Sequence, residues 1–99
     1  MNMKIHSVHF DADQKLIGFI ESKLNKLNQF EDKIIGAEVF LRLEKNQNTE
    51  NKVTEIRLNV SRNELFAKKQ CKSFEEATDQ SIEALRRQLI KKKGKKNGR

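Results

Sequence analysis

The stretch KVTEIRLNVSRNELFAKKQC, residues 52–71, decides the fold because it contains two segments of alternating apolar and polar side chains. In the first segment, residues 52–60, Ile56 and Leu58 are flanked by charged or polar residues, which is typical of a half-buried β-strand. The second segment, residues 64–71, follows a short polar turn. Since strands with so short a connection pair antiparallel, the stretch predicts a β-hairpin.

The residues before this hairpin predict a strand, a helix and a further strand. The apolar pattern of residues 3–10 changes phase near Ser7, which indicates a strand that ends or bulges there. Asp13 is a suitable helix N-cap, and residues 34–45 return to the two-residue period of a strand. Between them, apolar residues at helical spacing form one stripe: Leu16, Ile17, Ile20, Leu24, Leu27 and Phe30.

The C-terminal part predicts a second amphipathic helix. Ser73 and Glu76 have the spacing of a capping box, and the apolar residues after them share one helix face: Phe74, Ala77, Ile82, Leu85 and Leu89. The order of elements is then β-α-β-β-β-α. We expect an α+β fold in which one face of a four-stranded sheet buries both helices. Residues 1–93 form the predicted domain, and residues 94–99 form a basic tail.

The positive charge of the chain is concentrated at its C-terminal end. The net charge is +7 over 99 residues. Residues 1–83 contain 13 basic and 14 acidic side chains, whereas residues 84–99 contain eight basic side chains and no acidic one. Such a block is typical of a contact with nucleic acid or with an anionic membrane surface, although a solvated tail has the same composition.

The sequence offers little that resembles an enzyme or metal site. His6 and His9 are three residues apart, and this spacing does not suit two metal ligands on a strand or on a helix. We therefore expect both at the surface. Cys71 is the only cysteine, and no histidine lies near it in sequence to act as a base. The glycines are isolated, and no apolar run approaches the roughly 20 residues that cross a bilayer. We therefore expect no catalysis, cofactor or small-molecule substrate, and a reducing, cytoplasmic compartment.

Basic residues on both helices predict one RNA-binding surface. Lys23 and Lys26 are three residues apart on the first helix, and Arg87 and Lys91 are four apart on the second, so each pair shares a helix face. If the helices pack side by side, these residues form a ridge that the tail extends. Such a ridge suits A-form RNA, which proteins recognise through phosphates and 2′-hydroxyls, by shape more than by sequence.

Several short motifs spread over the chain point to a known family. The first strand has the form M-x-I, and residues 39–45 have the form V-x-L-x-x-E-K. The first helix contains F-x-x-x-K-x-x-K-L-x-x-F, through Phe19, Lys23, Lys26, Leu27 and Phe30. The last helix contains A-x-D followed by L-x-R-Q-L-x-K-x-K, through Ala77, Asp79, Leu85, Arg87, Gln88, Leu89, Lys91 and Lys93. In their order and spacing these motifs resemble the hibernation-promoting factor / ribosome-associated inhibitor A family (YfiA-like proteins), although Glu75 and Ala84 replace a common aromatic residue and a common lysine.

The resemblance implies a fold like that of double-stranded-RNA-binding domains and a binding function that involves no catalysis. Members of the family bind the small ribosomal subunit between head and body, where messenger and transfer RNA would lie, and thereby block translation in idle or stationary-phase cells. The chain resembles the short members, which lack a second, dimerising domain, so we expect a monomer that binds the small subunit and the 70S ribosome. The resemblance and the basic block together predict contacts with 16S rRNA by Lys23, Lys26, Arg86, Arg87, Lys91, Lys92, Lys93, Lys95 and Lys96.

Two other functions remain compatible with the charge pattern. A generic double-stranded-RNA-binding module would bind free duplex RNA as tightly as it binds ribosomes. A module for membrane surfaces or protein partners would bind anionic vesicles without RNA. The acidic side chains in the first half of the last helix argue against membrane insertion, so we expect no membrane partner.

Overall fold

A computed structural model of the protein describes residues 1–45 and 49–97, with side chains as far as residue 91. The elements are β1 (Asn2–Ser7), α1 (Gln14–Asn25), a short 3-10 helix (Lys26–Gln29), β2 (Ile34–Leu43), β3 (Lys52–Val60), β4 (Asn63–Cys71) and α2 (Phe74–Asn97). This order confirms the predicted β-α-β-β-β-α fold. Among the described residues, no helix is long and apolar enough to cross a membrane.

The four strands form one mixed sheet in the order β1-β2-β3-β4. The last three strands pair antiparallel, as predicted, whereas β1 pairs parallel with β2 at the edge of the sheet. The register aligns Ile5, Val39, Ile56 and Ala67 across the four strands. Because side chains alternate along a strand, this register places these four apolar residues on the same face of the sheet.

Both helices pack against that apolar face. Ile20, Leu24 and Leu27 from α1 and the 3-10 helix are buried, as are Leu85 and Leu89 from α2, and they share one core with the sheet. The opposite face of the sheet carries charged and aromatic side chains. The prediction that one face buries both helices is therefore confirmed.

The predicted starts of both helices are confirmed by their hydrogen bonds. The Asp13 carboxylate accepts a hydrogen bond from the backbone N–H of Leu16 at 2.8 Å. Before it, β1 ends at Ser7, where the apolar pattern changes phase. The Ser73 hydroxyl accepts a hydrogen bond from the backbone N–H of Glu76 at 3.1 Å, which caps α2.

A small polar cluster lies inside the contact between β3 and α2. Thr54, Thr78 and Ser81 are fully buried. The Thr54 and Thr78 hydroxyl oxygens are 3.4 Å apart, and the Ser81 hydroxyl donates to the Thr54 carbonyl at 3.5 Å. These contacts satisfy hydroxyl groups that would otherwise be costly to bury, and they fix the position of α2 along the strand.

Helix α2 continues through Gly94 as far as Asn97. A glycine inside a helix lowers its stability by only about 1 kcal/mol relative to alanine, so a single one does not have to end it. Most of the predicted tail, residues 94–99, is thus a continuation of the helix backbone, and its assignment as a separate unit stays a prediction.

Candidate nucleic-acid interface

The packing of α1 beside α2 brings Lys23 next to the second helix. The Lys23 ammonium lies 3.1 Å from the Asp79 carboxylate and 5.2 Å from the centre of the Phe19 ring. The stem of Lys23 therefore lies along the edge of the core, while its charge reaches the surface between the helices. This half-buried position agrees with its place beside the apolar stripe in the sequence.

Arg86 and Arg87 extend the positive surface along α2 from Lys23. Both guanidinium groups contact Glu83, and the Arg87 Nε lies 3.3 Å from its carboxylate. Arg86 also reaches over the Phe30 ring, at 5.8 Å from its centre, so it connects α2 with the end of the 3-10 helix. The Arg87 side chain is 75% exposed and projects into solvent.

The contacts with arginine change the acid–base behaviour of Glu83. The hydrogen bond from Arg86 lowers the pKa of Glu83, and the positive charges of Arg86 and Arg87 act in the same direction. The same hydrogen bond raises the pKa of Arg86. Glu83 and Arg86 are therefore both charged near neutral pH.

A shallow groove beside this surface is lined by a basic residue that is not in the predicted RNA-binding set. Its volume is about 310 Å³, and it is lined by Lys69, Asp79, Gln80, Glu83, Ala84 and Arg87. Lys69 comes from β4, between the buried residues Ala67 and Cys71. The sequence signal for Lys69 is its position in the register of β4 that faces the helices. A lysine can lie there only at the edge of the sheet, where its charge reaches water.

The structure brings together only part of the predicted RNA-binding set. Lys23, Arg86 and Arg87 lie around the acidic residues Asp79 and Glu83, which are one turn apart on α2. Lys26 is exposed at the start of the 3-10 helix, and Lys91 is exposed on α2. The side chains of Lys92, Lys93, Lys95 and Lys96 lie outside the described residues, so their role stays a prediction.

On the other face of the sheet, His6 forms a surface pair with Glu38. His6 Nε2 is 2.9 Å from a Glu38 carboxylate oxygen, and the imidazole stacks on Phe40 with ring centres 4.8 Å apart. The Arg57 guanidinium lies 5.7 Å from the centre of the same Phe40 ring. These are cross-strand contacts of the kind that stabilise an exposed sheet face.

The residues that could take part in catalysis or metal binding do not form a shared site. Cys71 is buried, and desolvation, followed by the nearby charges of Glu76 and Glu50, raises the pKa of its thiol. A raised pKa disfavours the nucleophilic thiolate. Within the part of the chain that the structure describes, no cluster of histidine, cysteine and acidic residues has the composition to hold a metal ion.

The fold is a small α+β domain in which the two helices carry a basic surface. The chain belongs to the family described as "Sigma 54 modulation protein / S30EA ribosomal protein", whose model matches residues 3–97. This match covers nearly the whole chain and confirms the resemblance that the sequence motifs indicated.

Two solved structures have the same fold. A ribosomal subunit interface protein from Coxiella burnetii superposes with a TM-score of 0.83 at 18% identity, covering 95% of this chain and 99% of its own. The N-terminal domain of Thermus thermophilus Protein Y superposes with a TM-score of 0.80 at 20% identity, covering 92% of this chain and 98% of its own. No curated protein sequence matches the chain significantly.

Proposed function

We propose that this protein is a ribosome hibernation factor of the cytoplasm. It binds the small subunit between head and body, in the channel of messenger and transfer RNA, and inhibits translation in idle or stationary-phase cells. The observation that carries the proposal is the convergence of Lys23, Arg86 and Arg87 where the two helices meet, in a chain of the S30EA family.

The mechanism follows from the chemistry of these side chains. Arginine presents planar donors that match phosphate oxygens, and lysine adds a compact charge, so the surface suits the closely spaced phosphates of folded rRNA. Contacts to phosphates and 2′-hydroxyls recognise the shape of the RNA. Inhibition is then competition for the channel, with no bond made or broken and no cofactor.

A rigid body suits this kind of competition. Both helices are held on the sheet by one continuous apolar core, and the polar contacts of Thr54, Thr78 and Ser81 fix α2. The basic side chains therefore project from a surface that requires little ordering on binding, which reduces the entropic cost of association. The protein acts as a monomeric wedge on vacant small subunits and 70S ribosomes.

The proposal is tested by sedimentation of the purified protein with vacant small subunits. We expect co-sedimentation that is lost when messenger RNA and initiator transfer RNA are bound first. We also expect equimolar inhibition of cell-free translation.

A variant with Lys23, Arg86 and Arg87 changed to Gln should bind vacant small subunits weakly. The matched control changes Lys4, Arg57 and Lys68, on the open sheet face, to Gln and should bind normally. Substoichiometric inhibition or cleavage of RNA would contradict the proposal.

The same fold and surface also suit a generic double-stranded-RNA-binding module. Such a module would bind a free RNA duplex as tightly as it binds vacant ribosomes. We expect a clear preference for the ribosome, because a folded rRNA channel presents phosphates to several sides of the protein at once. Equal affinity for both would favour the generic module.

A further inference from the structure

The groove between β4 and α2 has a basic residue on each wall. Lys69 comes from β4 and Arg87 comes from α2, and both line the same space of about 310 Å³. Both residues are exposed, so their charges are open to a ligand from solution. A ligand that enters the groove therefore meets positive charges from two different elements of the fold.

Lys69 differs from the other basic residues in and beside the groove in having no carboxylate partner. Lys23, Arg86 and Arg87 each contact an acidic side chain of α2. None of the ion pairs among the described residues involves Lys69. The cluster has four positive and two negative side chains, so Lys69 supplies half of its net positive charge. An anion that binds Lys69 displaces no carboxylate from it.

Polar contacts hold the two walls of the groove in fixed positions. Thr54 pairs with Lys69 in the register of β3 and β4, and its hydroxyl and carbonyl groups contact two buried hydroxyl groups of α2. Further along α2, the Gln88 side chain donates a hydrogen bond at 3.0 Å to the backbone carbonyl of Phe66 in β4. The groove needs little ordering when a ligand binds, which reduces the entropic cost of association.

We propose that this groove holds one phosphate of the RNA backbone and that Lys69 is a further RNA-binding residue. The Lys69 ammonium binds the phosphate from β4, and the Arg87 guanidinium binds it from α2. Arg87 contacts Glu83 through Nε, so its two Nη groups remain for phosphate oxygens. This inference rests on the proposed function, because it takes the RNA to be that of the vacant small subunit.

Lys68 and Lys69 form a matched pair for testing this role. Both are exposed on β4, and a lysine at either position discourages pairing of this edge strand with another sheet. Because side chains alternate along a strand, Lys69 faces α2 whereas Lys68 faces the open side of the sheet. Substitution of either residue by Gln removes one positive charge from the same strand, but only Lys69→Gln removes it from the groove.

The test measures by sedimentation how tightly the wild-type protein and its variants bind vacant small subunits over a range of salt concentrations. We expect Lys69→Gln to bind about 3- to 10-fold more weakly than the wild type, as for the loss of one hydrogen bond to a charged group. Its salt dependence should be less steep by about one unit. Lys68→Gln should weaken binding by less than about 2-fold, and Lys69→Arg should bind like the wild type. The melting temperatures should stay unchanged, since both side chains are exposed.

A double variant tests whether Lys69 and Arg87 bind the same phosphate. Either single substitution opens one wall of the groove, so the double variant should lose less affinity than the product of the two single losses. Its salt slope should be less steep by about one unit, as in each single variant.

Three outcomes overturn the inference: an unchanged affinity for Lys69→Gln, an equal loss for Lys68→Gln, and independent losses for Lys69 and Arg87. Each of them leaves the proposed function standing, because the wild-type protein still binds. Failure of the wild-type protein to bind vacant subunits would contradict the proposed function, and the inference with it.

Discussion

The Lys23 ammonium and the Asp79 carboxylate, 3.1 Å apart, connect α1 to α2 across the surface of the protein. Both side chains are partly open to water, with 29% and 52% of their areas exposed. Exposed pairs of this kind contribute about 0.2–1 kcal/mol to stability. The helices are therefore held together by their apolar contacts, and Lys23 is available to an RNA phosphate.

The first prediction concerns the stability of this pair. In a double-mutant cycle of Lys23→Met and Asp79→Asn, we expect a coupling energy of at most about 1 kcal/mol in urea unfolding. Methionine keeps an apolar stem beside Phe19, so the cycle isolates the charge. A coupling energy above about 2 kcal/mol would mean that the pair is a main support of the helix contact. Lys23 would then not be free to exchange Asp79 for phosphate.

The second prediction concerns salt. If the protein makes about six phosphate contacts, the logarithm of its affinity for vacant small subunits should fall with the logarithm of salt concentration with a slope of about −4 to −5. Arg87→Gln should reduce the steepness by about one unit, because it removes one phosphate contact. Lys4→Gln, on the first strand, should leave the slope unchanged. Binding that does not depend on salt would contradict a surface that works through phosphates.

Much of the fold could be predicted because it depends on local patterns. The two-residue period of β3 and the caps Asp13 and Ser73 each describe one segment, and the structure confirms them. The position of β1 could not be predicted in this way. Its six residues alternate like any half-buried strand, and nothing in their sequence distinguishes a parallel neighbour at the edge from an antiparallel one.

The basic surface could be predicted only in part, since it depends on contacts between elements. The pairing of Glu83 with Arg86 and Arg87 follows from spacings of three and four residues on one helix. The pairing of Lys23 with Asp79 depends on how the two helices pack, which no local pattern describes. Lys69 was missed for a similar reason, because only the packing of α2 beside β4 places it in the same groove as Arg87.

The third prediction uses two glycines in different surroundings. A Cβ atom built on Gly36 would lie 2.8 Å from the backbone oxygen of Asn2, its partner in the parallel pair of β1 and β2. Gly36→Ala must therefore separate the two strands, and we expect a loss of about 1–3 kcal/mol in the free energy of unfolding. Calorimetry should show a melting temperature lower by several degrees.

Gly18→Ala is the matched control for that substitution. Gly18 lies in α1, and a Cβ atom there would meet no other atom within 4 Å. Alanine loses less backbone entropy than glycine on entering a helix, so we expect a gain of about 0.5–1 kcal/mol. If Gly36→Ala left the melting temperature unchanged or raised it, the close approach of β1 to Gly36 would be contradicted.

The last prediction separates the fold from the binding surface. Truncation after Leu89 removes six of the eight positive charges of residues 84–99, together with the end of α2. The buried residues Leu85 and Leu89 remain, and burial of each large apolar side chain contributes roughly 1.5–3 kcal/mol, so α2 should stay on the sheet. We expect a nearly normal melting temperature in calorimetry and a strong loss of affinity for vacant subunits, because each lost phosphate contact removes its share of counterion release.

Leu85→Ala is the counterpart that keeps every charge. Leu85 is fully buried, so its truncation leaves a cavity in the core and should cost about 2–5 kcal/mol. This variant should melt early, yet its affinity for vacant subunits, measured well below its melting temperature, should stay close to normal. The two variants together assign stability to the apolar face of α2 and binding to its charged end. If the truncated protein bound vacant subunits like the full chain, the contact would depend on Lys23, Lys26, Arg86 and Arg87, and the end of the helix would be a solvated extension.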